Sequence, residues 1–186
     1  MFFLSWAFAG VPLGVYNIAN DFNVALQVQP NILIFLSLLT WCQCKYYGEK
    51  WSRKKVIIYS TVIAAVLGGI ETGLTFALKL ANKRGHKWPS TLMAVLAAIL
   101  LAAGVLRHYI DMFRTQSDAG LSLKFAVLDA SGDVASIISV IFQSSLSILG
   151  LVIYGTELVI WLGLMGILLY FRHVHYRRRD SVNTDH

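Results

Sequence analysis

Charge is what this sequence has least of. Asp, Glu, Lys and Arg make up 14% of its 186 residues, where a soluble globular domain carries about 25%. With 56% hydrophobic residues and a mean hydropathy of +0.61, this scarcity excludes an ordinary water-soluble domain and points to a membrane protein. Cysteine is nearly missing too. Cys42 and Cys44 share one short stretch, "WCQCK", with no further ligand at compatible spacing, so they read as inert thiols at a helix end and no metal site is expected. The chain has no Gly-rich phosphate loop, no activated serine and no paired catalytic motif. Its histidines, His86, His108, His173, His175 and His186, fall in loops or tails. A membrane enzyme needs convergent nucleophiles or His–carboxylate clusters, so neither catalysis nor a cofactor is expected. No basic residue precedes the first apolar block, which argues against a cleaved signal peptide.

What the chain does have is six apolar blocks, at 2–18, 28–47, 55–80, 89–113, 121–143 and 146–171. Most approach the roughly 20 residues that cross about 30 Å of hydrocarbon as a helix. The expected fold is an all-α polytopic membrane protein with six transmembrane helices. Pro30 and Pro89 stand near the openings of the second and fourth blocks, where a missing N–H costs little. Lys and Arg favour the cytosolic side. They gather in loop 45–55 (Lys45, Lys50, Arg53, Lys54, Lys55), at Arg114 after the fourth block, and in the tail at Arg172, Arg177, Arg178 and Arg179. All three places lie at one end of a six-span bundle, and both termini are therefore expected in the cytosol. The other end carries "NKRGHK" at 82–87 and Asp21. The pI of about 9.4 belongs to these dispersed loops. A negatively charged leaflet attracts them, so a lipid bilayer is the expected partner and nucleic acid is not.

Polar residues inside the apolar blocks are the candidate site. "VLDASGD" places Asp129 and Asp133 four residues apart, on one helix face. A carboxylate in hydrocarbon is costly and normally faces a bundle interior or a water-filled cavity. Two of them at one cavity favour a shared proton or a cationic partner. Glu71 and Glu157 lie near the centres of the third and sixth blocks. Glu71 reads as structural, whereas Glu157 reads equally as an interhelical partner or a cavity group. Asn17, beside Tyr16, lines a cavity or makes a polar contact between helices, the commoner case. Arg107 and His108 are expected near the cytosolic interface, where Arg can snorkel; a gate salt bridge from Arg107 to Asp111 or Asp129 is the sharper alternative. The Ala and Gly residues of "AAVLGGIETG" and "AVLAAILLAAG" indicate close helix packing. Trp6, Trp41, Trp51 and Trp88 are expected at the interfaces, and Trp161 within the bundle.

The segment "YIDMFRTQSDAGLSLKFAVLDASGDVASIISVIFQ" resembles the second signature segment of PQ-loop repeat membrane proteins, the group that includes cystinosin, vacuolar basic amino acid transporters and, more distantly, SWEET sugar transporters. The shared positions are Arg114, Ser117, Gly120, Leu121, Ser122, Leu128, Asp129, Gly132 and Ser136. The stretch from "WAFAGVPLG" to "CQCKYYG" is similar to the first repeat from its second helix onward. The resemblance implies a three-plus-one-plus-three helix arrangement, here without the first helix, and with residues 1–50 as a partial first repeat. Residues 51–84 would be the linker helix with its flanking loops, 85–171 the second repeat, and 172–186 a basic cytosolic tail. It also implies that Asp129 carries proton coupling, and that kinks at a proline pair act as hinges. That pair falls on Arg107 and His108, an altered hinge motif, and Asp133 replaces the second glycine, so its role is not inherited and a water-exposed substitution is the plainer reading. The expected function is transport of a small polar solute, with proton-coupled amino acid transport across a vacuolar or lysosome-like membrane as the sharper form. The alternative is a non-transporting membrane adaptor or regulatory subunit. A homodimer that replaces the missing helix is a third arrangement.

Overall fold

The computed structural model describes residues 2–115, 121–143 and 146–184, and the side chains of 3–115, 121–143 and 146–173. All regular structure in them is helical: α1 (Phe2–Ala19), α2 (Val24–Gln43), α3 (Arg53–Lys83), α4 (Trp88–Thr115), α5 (Leu123–Ile141) and α6 (Ile148–Thr184). A π-helical turn, Cys44–Gly48, continues α2. Four segments are long and apolar enough to cross a membrane: Val24–Gly48, Arg53–Lys83, Trp88–Thr115 and Ile148–His173. Of the other two expected spans, α1 is apolar but shorter, and the 19 residues of α5 include Lys124, Asp129 and Asp133. Ser117 and Gly120 of the signature segment, and the side chains of Arg177, Arg178 and Arg179, lie outside what is described.

Local chemistry sets the helix starts. Asn23 caps α2 by accepting a hydrogen bond from the Leu26 N–H at 3.1 Å, and Ser52 caps α3 through the Lys55 N–H at 3.4 Å. The Asn23 cap starts α2 four residues before the apolar block expected at 28. Pro30 therefore lies inside the second turn rather than at the helix opening. A proline there has no N–H for the carbonyl four residues back, which frees the carbonyl of Leu26. Asn17 on α1 takes it up: its Nδ2 donates to Leu26 O at 2.7 Å. The proline of one helix and the amide of its neighbour form one arrangement.

α1 packs against α2, α3 and α4, and α6 lies against both α4 and α5. Side chains join α2 to α5, where Asn23 Nδ2 donates to Ser139 and Ser136 Oγ donates to Gln29 Oε1 at 2.9 Å. Helices α1, α4, α6, α5 and α2 thus close into a ring, with α3 outside it against α1. Small residues permit the closest approaches. A Cβ on Gly104 of α4 would overlap the Trp6 indole, and one on Gly14 of α1 would overlap the Glu71 carboxylate of α3. Trp6 corrects the interfacial expectation: it is 4% exposed and packs edge-on to Trp161 and stacked on Phe125. Trp161 is fully buried in the same cluster.

Candidate functional site

The ring frames a half-open cavity of about 180 Å³. Each of its five helices contributes: Trp6 from α1, Gln29 and Leu33 from α2, Leu101 from α4, Asp129, Gly132 and Asp133 from α5, Tyr154 and Glu157 from α6. Among the described lining residues there are three carboxyl groups and no Lys, Arg or His. The volume lies below the roughly 300–1,000 Å³ of drug-sized pockets and suits a small solute or a few waters.

Spacing explains how one helix supplies two of the acids. Asp129 and Asp133 are one turn apart on α5, and Gly132 between them leaves the wall open. Asp133 is only 4% exposed, contrary to the water-exposed position expected of it, because α5 turns this face into the ring. Its Oδ2 has no hydrogen-bond partner among the described residues. Glu157, 9% exposed, faces the pair from α6, and the three carboxyl groups lie within electrostatic range of one another. Buried polar atoms are normally satisfied, and an unmet one is costly. Ionised carboxylates this close repel one another, and a proton or a cation relieves that repulsion. The acids do not converge as a metal cage, and no group of three His, Cys, Asp or Glu does so among the described residues.

Asn17 makes a polar contact between helices, the commoner of its two expected roles, and does not line the cavity. It is fully buried and stands one hydrogen bond behind the wall, its Nδ2 donating to Leu26 O and to the Tyr154 hydroxyl at 2.9 Å. Ser136 of the signature segment bonds Gln29 beside the cavity. Glu71 lies outside the site, accepting from Asn31 Nδ2 at 3.4 Å. Arg107 is exposed, and among the described residues it forms no ion pair with Asp111 or Asp129. His108 is half-buried between Trp6 and Trp161, ring centroids 6.4 and 6.2 Å away. Helix α4 passes through 107–108 as continuous helix. Gln29, Tyr154 and Trp6 are site residues the sequence did not disclose. Tyr154 and Glu157 sit three apart on α6, the one signal that places them on a shared face.

No protein-family profile matches the chain. No solved structure matches it. Similar proteins include an uncharacterized protein of Schizosaccharomyces pombe, 36% identical over 185 residues, which are 100% of this chain and 65% of that protein. An uncharacterized membrane protein of Saccharomyces cerevisiae is 32% identical over 157 residues, 83% of this chain and 50% of its own length. The chain thus spans less than two thirds of the relatives it matches. The apolar helices and the description of the budding-yeast relative place the chain among helical membrane proteins.

Proposed function

We propose that this chain forms the solute path of a PQ-loop-type carrier for a small polar solute, an amino acid moved with a proton. In this reading α1 and α5 complete six spans, five of them around the cavity, the termini face the cytosol, and the membrane is vacuolar or lysosome-like. The carrying observation is the half-open cavity within the ring, with Asp129, Asp133 and Glu157, and, among the described residues, no basic lining residue and no partner for Asp133 Oδ2. Two further features support it. The signature positions Leu128, Asp129 and Gly132 all line this cavity, and Ser136 braces its wall. The packing of α6 against both α4 and α5 suits a single three-helix repeat. Asp129 and Asp133 are the proton-exchanging pair, Glu157 faces them across the path, and Tyr154 with Gln29 supplies hydrogen bonds to the solute.

The test is uptake of a labelled amino acid panel into proteoliposomes under an imposed pH gradient. Gradient-dependent uptake of at least one solute is expected, lost in Asp129→Asn and in Asp133→Asn while helix content by circular dichroism is unchanged. Absence of uptake by folded wild-type protein, with or without the gradient, overturns the carrier reading and leaves the adaptor.

A further inference from the structure

The turn between α2 and α3 carries a second feature, remote from the cavity. Within residues 45–55, five cations meet a single acid, Glu49. Lys45 is committed to Glu49 at 2.5 Å and lies over the rings of Trp41 and Trp51, 5.8 and 5.1 Å from their centroids. Lys55 covers the Trp51 ring at 4.0 Å. Arg53 lies over Tyr46 and donates from Nε to its hydroxyl at 3.1 Å, which leaves the other guanidinium N–H groups for a ligand. Lys50 and Lys54 have no acidic partner among the described residues. The Lys45 ammonium holds the Glu49 carboxyl below its ordinary value, so the one local acid is neutralised from within.

Beside these cations a groove of about 280 Å³ opens between the end of α2 and the start of α3, with Tyr46, Tyr47, Val56 and Ile57 as its apolar walls and Arg53 at its rim. The groove sits where the span Val24–Gly48 ends and the span Arg53–Lys83 begins, and the same turn carries Trp41, Trp51 and Tyr59 in edge-on contact, the aromatic composition of a headgroup-level belt. General attraction of a basic loop to a charged leaflet requires neither a groove nor clamped side chains.

We propose that the α2–α3 turn binds one anionic phospholipid of the adjoining leaflet. Its phosphate is held by Arg53, in the fork geometry that suits phosphate, with Lys50 and Lys54 beside it, and the upper part of one acyl chain lies in the groove. Cation–π contacts and the Lys45–Glu49 pair preorganise the turn, so that binding orders few side chains. Charge complementarity selects the anionic lipid over a zwitterionic one, and the apolar walls select a lipid over a soluble phosphate.

The test uses the whole chain in phosphatidylcholine vesicles and follows Trp51 fluorescence, taken as the difference between wild type and Trp51→Phe. Brominated phosphatidylserine should half-quench it at a mole fraction at least fivefold lower than brominated phosphatidylcholine. Each cation removed is expected to weaken the preference about fivefold, following the roughly 1 kcal/mol that a surface Lys or Arg contributes. Lys50→Gln/Arg53→Gln/Lys54→Gln should therefore abolish it, and Lys83→Gln/Arg84→Gln/Lys87→Gln at the opposite end should leave it intact. Equal quenching by the two lipids in wild type overturns the proposal, as does a preference that survives the first triple variant or disappears in the second. If the first triple variant fails to fold, the wild-type comparison and the opposite-end variant still decide.

Discussion

Replacing Asn17 with alanine tests how this bundle accommodates Pro30. The Asn17 amide makes two interhelical bonds, 2.7 Å to the Leu26 carbonyl that Pro30 leaves free and 2.9 Å to the Tyr154 hydroxyl. Polar contacts between membrane helices average about 0.6 kcal/mol and reach about 1.7, so losing both costs about 1–3 kcal/mol. Asn17 Oδ1 is itself buried without a partner among the described residues. Its removal offsets part of the loss, and the net effect of Asn17→Ala is expected at about 1–2 kcal/mol. In Pro30→Ala the restored N–H at position 30 can bond Leu26 O along the helix, and the same Asn17→Ala change then costs only the Tyr154 share. The double-mutant cycle should show a coupling of about 1 kcal/mol, roughly fivefold in the unfolding constant. Reversible unfolding in mixed micelles, followed by circular dichroism, measures it. Additivity within about 0.3 kcal/mol, the scatter of independent sites, would refute the link between the proline and the amide.

Two further consequences are open to direct measurement. Gly104→Leu places a side chain where the Trp6 indole sits and is expected to destabilise the bundle by about 1–3 kcal/mol, as overpacking does. Trp6→Ala in the same chain should recover part of that loss in the same unfolding assay. Lys45 depresses the Glu49 carboxyl, so their interaction is present above the ordinary carboxylate range and is lost as pH falls through the lowered folded-state value. A Glu49 NMR titration should move upward in Lys45→Ala, a change that also removes the Lys45 contacts with the Trp41 and Trp51 rings.

The helical class and the approximate positions of the helices were readable from hydrophobic block lengths, because block length is a direct demand of the bilayer. Helix starts were less so. α2 begins where Asn23 can cap it, four residues upstream of its apolar block, and that single cap changes Pro30 from a helix opener into an interior proline. Among the site residues, Asp129 and Asp133 were visible as charges in an apolar stretch. The burial of Asp133 was not, since it depends on which way α5 is rotated against α6, and no local pattern encodes that rotation. Trp6 shows the same limit: near a chain end it looks interfacial, and only the gap over Gly104 draws it into the bundle. Gln29 and Tyr154 gave no signal alone, because their roles arise from helices that meet across more than a hundred residues of chain.

Helix α3 buries only Val56, Leu67, Glu71 and Leu78 against its neighbours, and nothing stands over Gly68, Gly69 or Gly73. Lipid tails are as apolar as leucine, so docking inside the bilayer depends on close packing and hydrogen bonds, and α3 meets the ring through the Gly14–Glu71 approach, the Asn31–Glu71 bond, the Asn82 bonds to Ala19 and Ser90, and the Lys79–Asp21 pair. Its residence in the membrane and its attachment to the other helices are therefore separate events. What fixes α3 against its neighbours is the close approach of Gly14 to the Glu71 carboxylate and the side-chain bonds of Glu71, Lys79 and Asn82.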